Sequence, residues 1–332
     1  NDDGPPHPED SPYILGLYRY LTEEIGWNVK VVVPSAQKSW IGKAYHIKEI
    51  AQGSYFYPKE DGTGEISTIS RPLEIGEIAE WILLNGGPSL IINQTPATCA
   101  NVALHNLFPG EIDLIVSGPN LGRNTSTAFA LSSGTIGAAL SSSLSKVRSI
   151  ALSYGTVLYP TPTKLFMPAH RLGSSIIVHL WNNWGRDEGG LRNGEVDLYN
   201  INIPLGESLL TEEGPKICTT TMWRNSYRRL FKRISVDTHM PNEAFPAGPD
   251  ALGPGTQDPR TATSYDMGGL AFKFSPDMTD LITPSFSSLP VGTDAWALHQ
   301  GWISVTPLRA SFGEPDNNNQ KDLESRIWKL KL

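Results

Sequence analysis

The chain holds only two cysteines, Cys99 and Cys218, in 332 residues. They lie far apart and in no metal-binding spacing, which argues against a disulfide scaffold and structural zinc and suits a reducing compartment. No apolar run approaches the ~18 residues that a membrane span needs. No signal peptide is visible in the sequence, and the cysteine usage leads us to expect a cytoplasmic setting. Positive charge is also scarce: the net charge is −7, so nucleic acid is not expected as the main ligand. One basic run, Arg224 to Arg233, reads as the solvated face of a helix or strand. The familiar catalytic signatures are missing, with no G-x-x-x-x-G-K-[ST], H-E-x-x-H, C-x-x-C or G-x-S-x-G, and the seven histidines are scattered.

What is present is an ordinary globular composition, 39% hydrophobic and 18% charged, in a chain long enough for one large core. Ser11-Pro12 predicts a helix start, with serine as cap and proline in the first turn. Ile14, Leu17, Tyr18, Leu21 and Ile25 follow on one helical face, and Gly26 ends it. The β-branched run VKVVVP over 29–34 predicts a strand buried on both faces. Further strands are predicted over 80–84, 89–93, 112–117 and 149–153. Helices are predicted over 95–107, onward from Ser133-Gly134-Thr135, and over 164–184, the last bent or delayed by Pro168. This alternation to about residue 185 predicts an α/β fold with a doubly wound, mostly parallel, Rossmann-like sheet. Ligands of such sheets sit beyond the carboxyl ends of the strands. Those ends here carry VVVPSAQKS, IVSGPNLGRNTS and, given a strand preceding residue 1, NDDG.

The second half reads differently. DLYNINIPL (197–205) alternates like a half-exposed strand, and PKICTTTMW (215–223) resembles another. The stretch 237–263, with five prolines and little apolar content, predicts a flexible loop. GGLAFKFS and GWISVTPLRASF read as strands, the latter after a short helix, TDAWALHQ. Residues 1–185 are therefore expected to form the core that carries the site. Residues 186–332 are expected to be an antiparallel, β-rich remainder of the same domain.

Asp2 and Asp3 are adjacent carboxylates that repel, so a fold keeping them together brings in a cation or a proton. Other oxygen-bearing residues gather at predicted strand ends: Ser39, Asn120, Asn124 and Ser133-Gly134-Thr135. Carboxylate, hydroxyl and amide oxygens are hard ligands, suited to Mg²⁺, Mn²⁺ or Ca²⁺ over zinc or copper. The helix start at Ser133 offers free N–H groups to a phosphate. A hard cation beside an anion site suits phosphate-ester hydrolysis by in-line attack of water. Each piece alone has a plainer reading, Asp-Asp-Gly as a turn and Ser-Gly-Thr as a helix cap. Their joint placement at consecutive strand ends favours phosphate chemistry. Trp40 and Tyr45 are aromatic candidates to stack on a base, weighed against core packing.

NDDG, VVVPSAQKS, DLIVSGPNLGRN and SSGTIGAA, in this order, resemble the SurE family of survival-protein nucleotidases. TPATCANVAL, YNINIP and TDAWALHQGWISVTPL resemble later blocks of that family, so the likeness spans nearly the whole chain. QKSWIGKA and SGPNLGRNTSTAFALSSGT resemble a fungal branch, in which a SurE-like domain is joined to a tubulin-tyrosine-ligase-like domain. The resemblance implies a metal-dependent phosphatase, a 5′/3′-nucleotidase acting on nucleoside monophosphates, other phosphomonoesters or short polyphosphate. It places Mg²⁺ or Mn²⁺ on Asp2, Asp3, Ser39 and Asn120, with Asp2, Asp3 and Asn120 catalytic. It places the phosphate on Asn124, Ser133, Gly134 and Thr135, and it implies a homodimer through the C-terminal β extension. Three departures stand out. The family carries an apolar strand directly before its NDDG, where this sequence opens on the motif. An apolar stretch is inserted after Gly86, and Thr98 stands where an aspartate is frequent. A second class of function is a binding or scaffold module in an RNA-decay or tubulin-related assembly. Its contact surfaces would be the basic run Arg224 to Arg233 and the proline-rich loop.

Overall fold

A computed structural model of the chain describes residues 1–86, 94–157, 160–234, 270–276, 278, 281, 284–314 and 327. The first helix, α1 (Ile14–Arg19), widens into a π turn over Tyr20–Glu24, and Gly26 at φ 77° turns the chain away. It begins later than Ser11-Pro12 predicts. The Ser11 hydroxyl donates to the Gly4 carbonyl at 3.1 Å, and Tyr13 takes the cap position.

Strands β1 (Val32–Pro34), β2 (Ala51–Pro58), β3 (Gly64–Ser67) and β4 (Trp81–Gly86) form one sheet in the order β1-β4-β2-β3. β1 and β4 are parallel, and the β2–β3 hairpin is antiparallel. A second sheet takes β5 (Leu114–Leu121), β6 (Arg148–Thr156), β7 (Leu198–Leu205) and β8 (Ile217–Thr219). β9 (Phe231–Ile234) and β10 (Ala271–Phe274) pair apart as an antiparallel arm, and β11 (Ile303–Leu308) rejoins the second sheet. Its order is β5-β6-β7-β11-β8, with β5, β6 and β7 parallel and β11 antiparallel to β7.

The helices cover both faces of this second sheet. α2 (Pro96–Val102) opens on Thr95, whose hydroxyl accepts the Thr98 N–H at 3.1 Å. α3 (Ser126–Ser132) and α4 (Gly134–Leu144) follow β5, and Ile136 and Ala139 of α4 pack with Ala151 and Leu198. α5 (Phe166–Asn182) covers the other face, where Ile176 and Ile177 join Ile150, Leu152, Ile201 and Ile203 in the main core. α6 (Asp294–His299) leads into β11. α1 and the π turn after it bridge the two sheets, with Leu17 and Leu21 in the main core and Ile14 packed with Val33, Trp81 and Leu83. The fold is thus mixed α/β, with helices on both faces of a mainly parallel sheet. Among the described residues no helix is long and apolar enough to cross a membrane.

Several expectations change. The strand over 29–34 shortens to Val32–Pro34. The strand over 197–205 is not half-exposed: all eight residues of β7 are buried, because β6 and β11 flank it and helices cover its faces. Its polar alternate residues point into the protein. The loop expected after Ser117 continues as strand to Leu121, with the register to β6 shifting between Ser117 and Asn120. Gly118 makes that shift, at φ 130°, where a Cβ would stand 2.1 Å from the Leu152 carbonyl oxygen. The strand over 89–93 and the loop over 237–263 lie outside the described residues.

β1 and β5 belong to different sheets and are not paired with each other. A cavity of about 520 Å³ runs between them, lined by residues 29–33 and 112–118. Leu17 of α1, Leu21 of the π turn, Cys99 and Ala100 of α2, and Asn1 also border it.

Candidate active site

Asp2 and Asp3 lie where β1 and β5 end, the position at which doubly wound sheets receive ligands. The Lys38 amide, just past β1, donates to the Asp2 carbonyl at 2.7 Å. The Leu121 amide, at the end of β5, donates to Asp3 Oδ2 at 2.7 Å. Both aspartates are only 3% exposed. Asp2 Oδ1 accepts the Thr135 hydroxyl, and α4 comes so close that a Cβ on Gly134 would lie 2.9 Å from Asp2. Asp3 Oδ1 is buried without a hydrogen-bond partner.

Burial pushes the Asp2 carboxyl above its ordinary range, and the Thr135 bond offsets part of this. Asp3 is driven well above that range, by burial first and by the charge of Asp2 second, against the pull of the Leu121 amide. Two carboxylates in one desolvated place hold a proton unless a cation arrives.

Asp2, Ser39, Trp40, Asn120, Asn124, Phe129, Ser132 and Ser133 surround a small cleft. Its free volume, about 10 Å³, has room for roughly one water- or cation-sized group. The Asn120 amide nitrogen donates to the Gly122 carbonyl at 2.7 Å, which leaves the amide oxygen for a ligand. Asn124 is held from three sides. Its N–H donates to Asn202 Oδ1 at 2.7 Å, its carbonyl accepts from Asn200 Nδ2 at 2.8 Å, and its side-chain amide donates to Ser153 Oγ at 2.8 Å. Ser133 caps α4, its hydroxyl accepting the Ile136 N–H at 3.1 Å.

The structure therefore gathers Asp2, Ser39, Asn120, Asn124 and Ser133 at the cleft. Asp3, Gly134 and Thr135 stand behind them, and Thr135 is turned onto Asp2. Of the aromatic candidates, Trp40 borders the cleft, whereas Tyr45 bonds Ser141 at 2.7 Å on the side of α4. The sequence reading missed Asn200 and Asn202. Their signal was two asparagines at alternate positions of an otherwise apolar strand, which passed for a solvent face. It also missed Asp294, whose buried carboxylate accepts the N–H groups of Ser126 (2.7 Å) and Trp223 (2.9 Å) and so fixes the start of α3.

Among the described residues no three His, Cys, Asp or Glu side chains gather as a metal cluster. The donor set here is different in kind: two carboxylates, a hydroxyl and an amide oxygen. With one carboxylate oxygen orphaned in a buried place, that set fits a hard divalent cation.

Fold and site together define a Rossmann-like α/β protein with an oxygen-lined site at its strand ends. The chain belongs to the SurE family, whose description is survival protein SurE and whose model matches residues 1–229. It is 32% identical, over 94% of its length, to a Saccharomyces cerevisiae protein described as probable tubulin–tyrosine ligase PBY1, and it spans 40% of that protein. It is 27% identical to the 5′-nucleotidase SurE of Archaeoglobus fulgidus, covering 91% of this chain and 88% of that one. The 5′-nucleotidase SurE of Herpetosiphon aurantiacus is also 27% identical, covering 99% of this chain and 96% of its own. The crystal structure of a SurE protein from Aquifex aeolicus shares the fold, with a TM-score of 0.56 at 19% identity over 98% of this chain and 95% of that one. The family is thus one of nucleotidases or phosphatases.

Proposed function

We propose that the chain is a divalent-metal-dependent phosphatase that hydrolyses nucleoside 5′- or 3′-monophosphates by in-line attack of water. Other phosphomonoesters and short polyphosphate fall within the same chemistry. The observation that carries this reading is the buried Asp2–Asp3 pair, in which Asp2 lines the cleft with Ser39 and Asn120 and Asp3 keeps an unpartnered oxygen. Relatives named 5′-nucleotidase support it at the level of the family.

Asp2, Asp3, Ser39 and Asn120 would hold Mg²⁺ or Mn²⁺, with Asp2, Asp3 and Asn120 the catalytic residues. The cation, when bound, supplies neutralising charge for the phosphoryl group and a lower pKa for the attacking water. The protein's own part is positioning. Asn124 keeps a second amide hydrogen for a phosphate oxygen, and Asn200 and Asn202 hold its backbone still. Ser133, the cap of α4, borders the cleft and would meet the same anion. Gly134 allows the helix to approach, and Thr135 orients Asp2. Donors fixed in advance in a desolvated cleft stabilise developing charge without reorganising.

Purified protein is expected to release phosphate from AMP or GMP with Mg²⁺ or Mn²⁺ and to stop with EDTA. No metal-dependent release from any nucleoside monophosphate or from 4-nitrophenyl phosphate would refute the reading. We also infer a homodimer through the C-terminal β extension, where Phe231 and Phe272 stand exposed on the β9–β10 arm. A cytoplasmic setting agrees with two free cysteines. A scaffold role is the second reading, favoured by the match to 40% of a longer yeast protein. Partner recruitment lost on reversing the charges of Arg224 to Arg233, yet indifferent to Asp3→Asn, would select it.

A further inference from the structure

Trp40 sits at φ 61°, a backbone region that a bulky side chain enters only at a cost. The loop carrying it is tied on both sides. The Lys38 amide donates to the Asp2 carbonyl at 2.7 Å, and the Gly42 amide donates to the Ser132 carbonyl at 2.8 Å. Between these ties, Ser39 and Trp40 are brought to the rim of the cleft.

The ring is braced there by edge-on contacts to Phe274 at 5.3 Å, Phe129 at 6.1 Å and Tyr227 at 6.4 Å between centroids. Phe129 in turn packs with Ala128, Met278 and Leu281. Trp40 is half-buried. One side of the ring packs against that cluster, and the same strained backbone brings Trp40 to the mouth of the polar cleft. The cleft has room for about one cation-sized group, so the remainder of any ester has to rest outside it, against the rim. Two rings border the cleft: Phe129 is buried, and Trp40, the more exposed of the two, stands beside Ser39.

We propose that Trp40 is a specificity-determining residue, its ring being the face on which a planar leaving group of the phosphomonoester rests. The proposal rests on the phosphatase reading of the site. It predicts preference for nucleosides and aromatic alcohols over compact aliphatic ones. It predicts little discrimination among bases, because every base offers a π face to an aromatic ring.

The test compares kcat/KM for AMP, 4-nitrophenyl phosphate and glycerol 3-phosphate, with Mn²⁺, in the unaltered protein, Trp40→Phe and Trp40→Leu. In Trp40→Leu the preference for the two planar esters over glycerol 3-phosphate is expected to fall about tenfold or more, mainly through KM. Trp40→Phe is expected to keep most of the preference. An equal loss on all three substrates, or an unchanged preference, overturns the proposal. Should Trp40→Leu fail to fold, the unaltered protein gives a second reading. Adenosine is expected to inhibit glycerol 3-phosphate hydrolysis about tenfold more strongly than ribose, and equal inhibition overturns the proposal. Failure of the unaltered protein to turn over any of the three esters is a different result: it removes the phosphatase reading, and this assignment with it.

Discussion

Two groups of carboxylates in this molecule meet opposite fates. In the hairpin sheet, Arg71 stands among Glu77, Glu65 and Glu74 at 2.7, 3.2 and 3.5 Å and lies over the Tyr57 ring. Its guanidinium, bonded to Glu77, draws that carboxyl down to about 2. At the strand ends, Asp2 and Asp3 are joined in no ion pair with a described Lys or Arg, and burial drives both carboxyls upward. The difference is one of counter-charge and not of acidity. The fold supplies a cation to the group that only has to hold a hairpin together. It places no such cation on the pair that is proposed to hold a metal.

The sharpest break in that contrast is at Asp3. Asp3→Asn is expected to cut metal-dependent phosphate release by about a thousandfold or more. The same change should stabilise the metal-free protein at neutral pH by about 1–3 kcal/mol, read as a raised urea midpoint in EDTA, because the fold no longer has to bury a charge or take up a proton there. Activity and stability falling together would instead mark the pair as purely structural.

The two groups also titrate with opposite sign. Asp2 and Asp3 have raised pKa values in the fold, so their contribution to stability is fullest in acid and is lost as pH rises through those raised values. Saturating Mg²⁺ should flatten this fall. Glu77 is lowered, so its contribution is present above the ordinary glutamate range and is lost as pH falls toward about 2. Urea midpoints across pH, with and without Mg²⁺, separate the two.

A smaller effect is expected at Asn202→Ala, which leaves the buried Asn124 N–H without its acceptor. It should cost about 1–3 kcal/mol of stability and weaken substrate binding, visible as a higher KM. The smallest is Glu77→Gln. Arg71 keeps Glu65 and Glu74, so phosphate release should be unchanged and the acid-side loss of stability should shrink.

The parallel strands and amphipathic helices were legible because buried strands are rich in β-branched residues and helical faces repeat. Asp2, Ser39, Asn120 and Asn124 were legible as neighbours at one cleft because oxygen-bearing residues recur at consecutive strand ends, although each alone reads as a turn or a cap. The β2–β3 hairpin left little trace, since Ala51, Gln52, Gly53 and most of β3 are exposed and show no run of inward apolar residues. Asn200 and Asn202 were hidden for a related reason: alternation tells which residues share a face, but not whether that face meets water or a polar loop. Thr135 faced the same ambiguity, because a hydroxyl beside a helix start serves an aspartate as readily as an anion.

The backbone ties of the acidic pair give it a second, mechanical meaning. Asp2 is tied to the chain leaving β1 and Asp3 to the end of β5. The two aspartates therefore join two strand ends, and a cation held by them would draw those ends together.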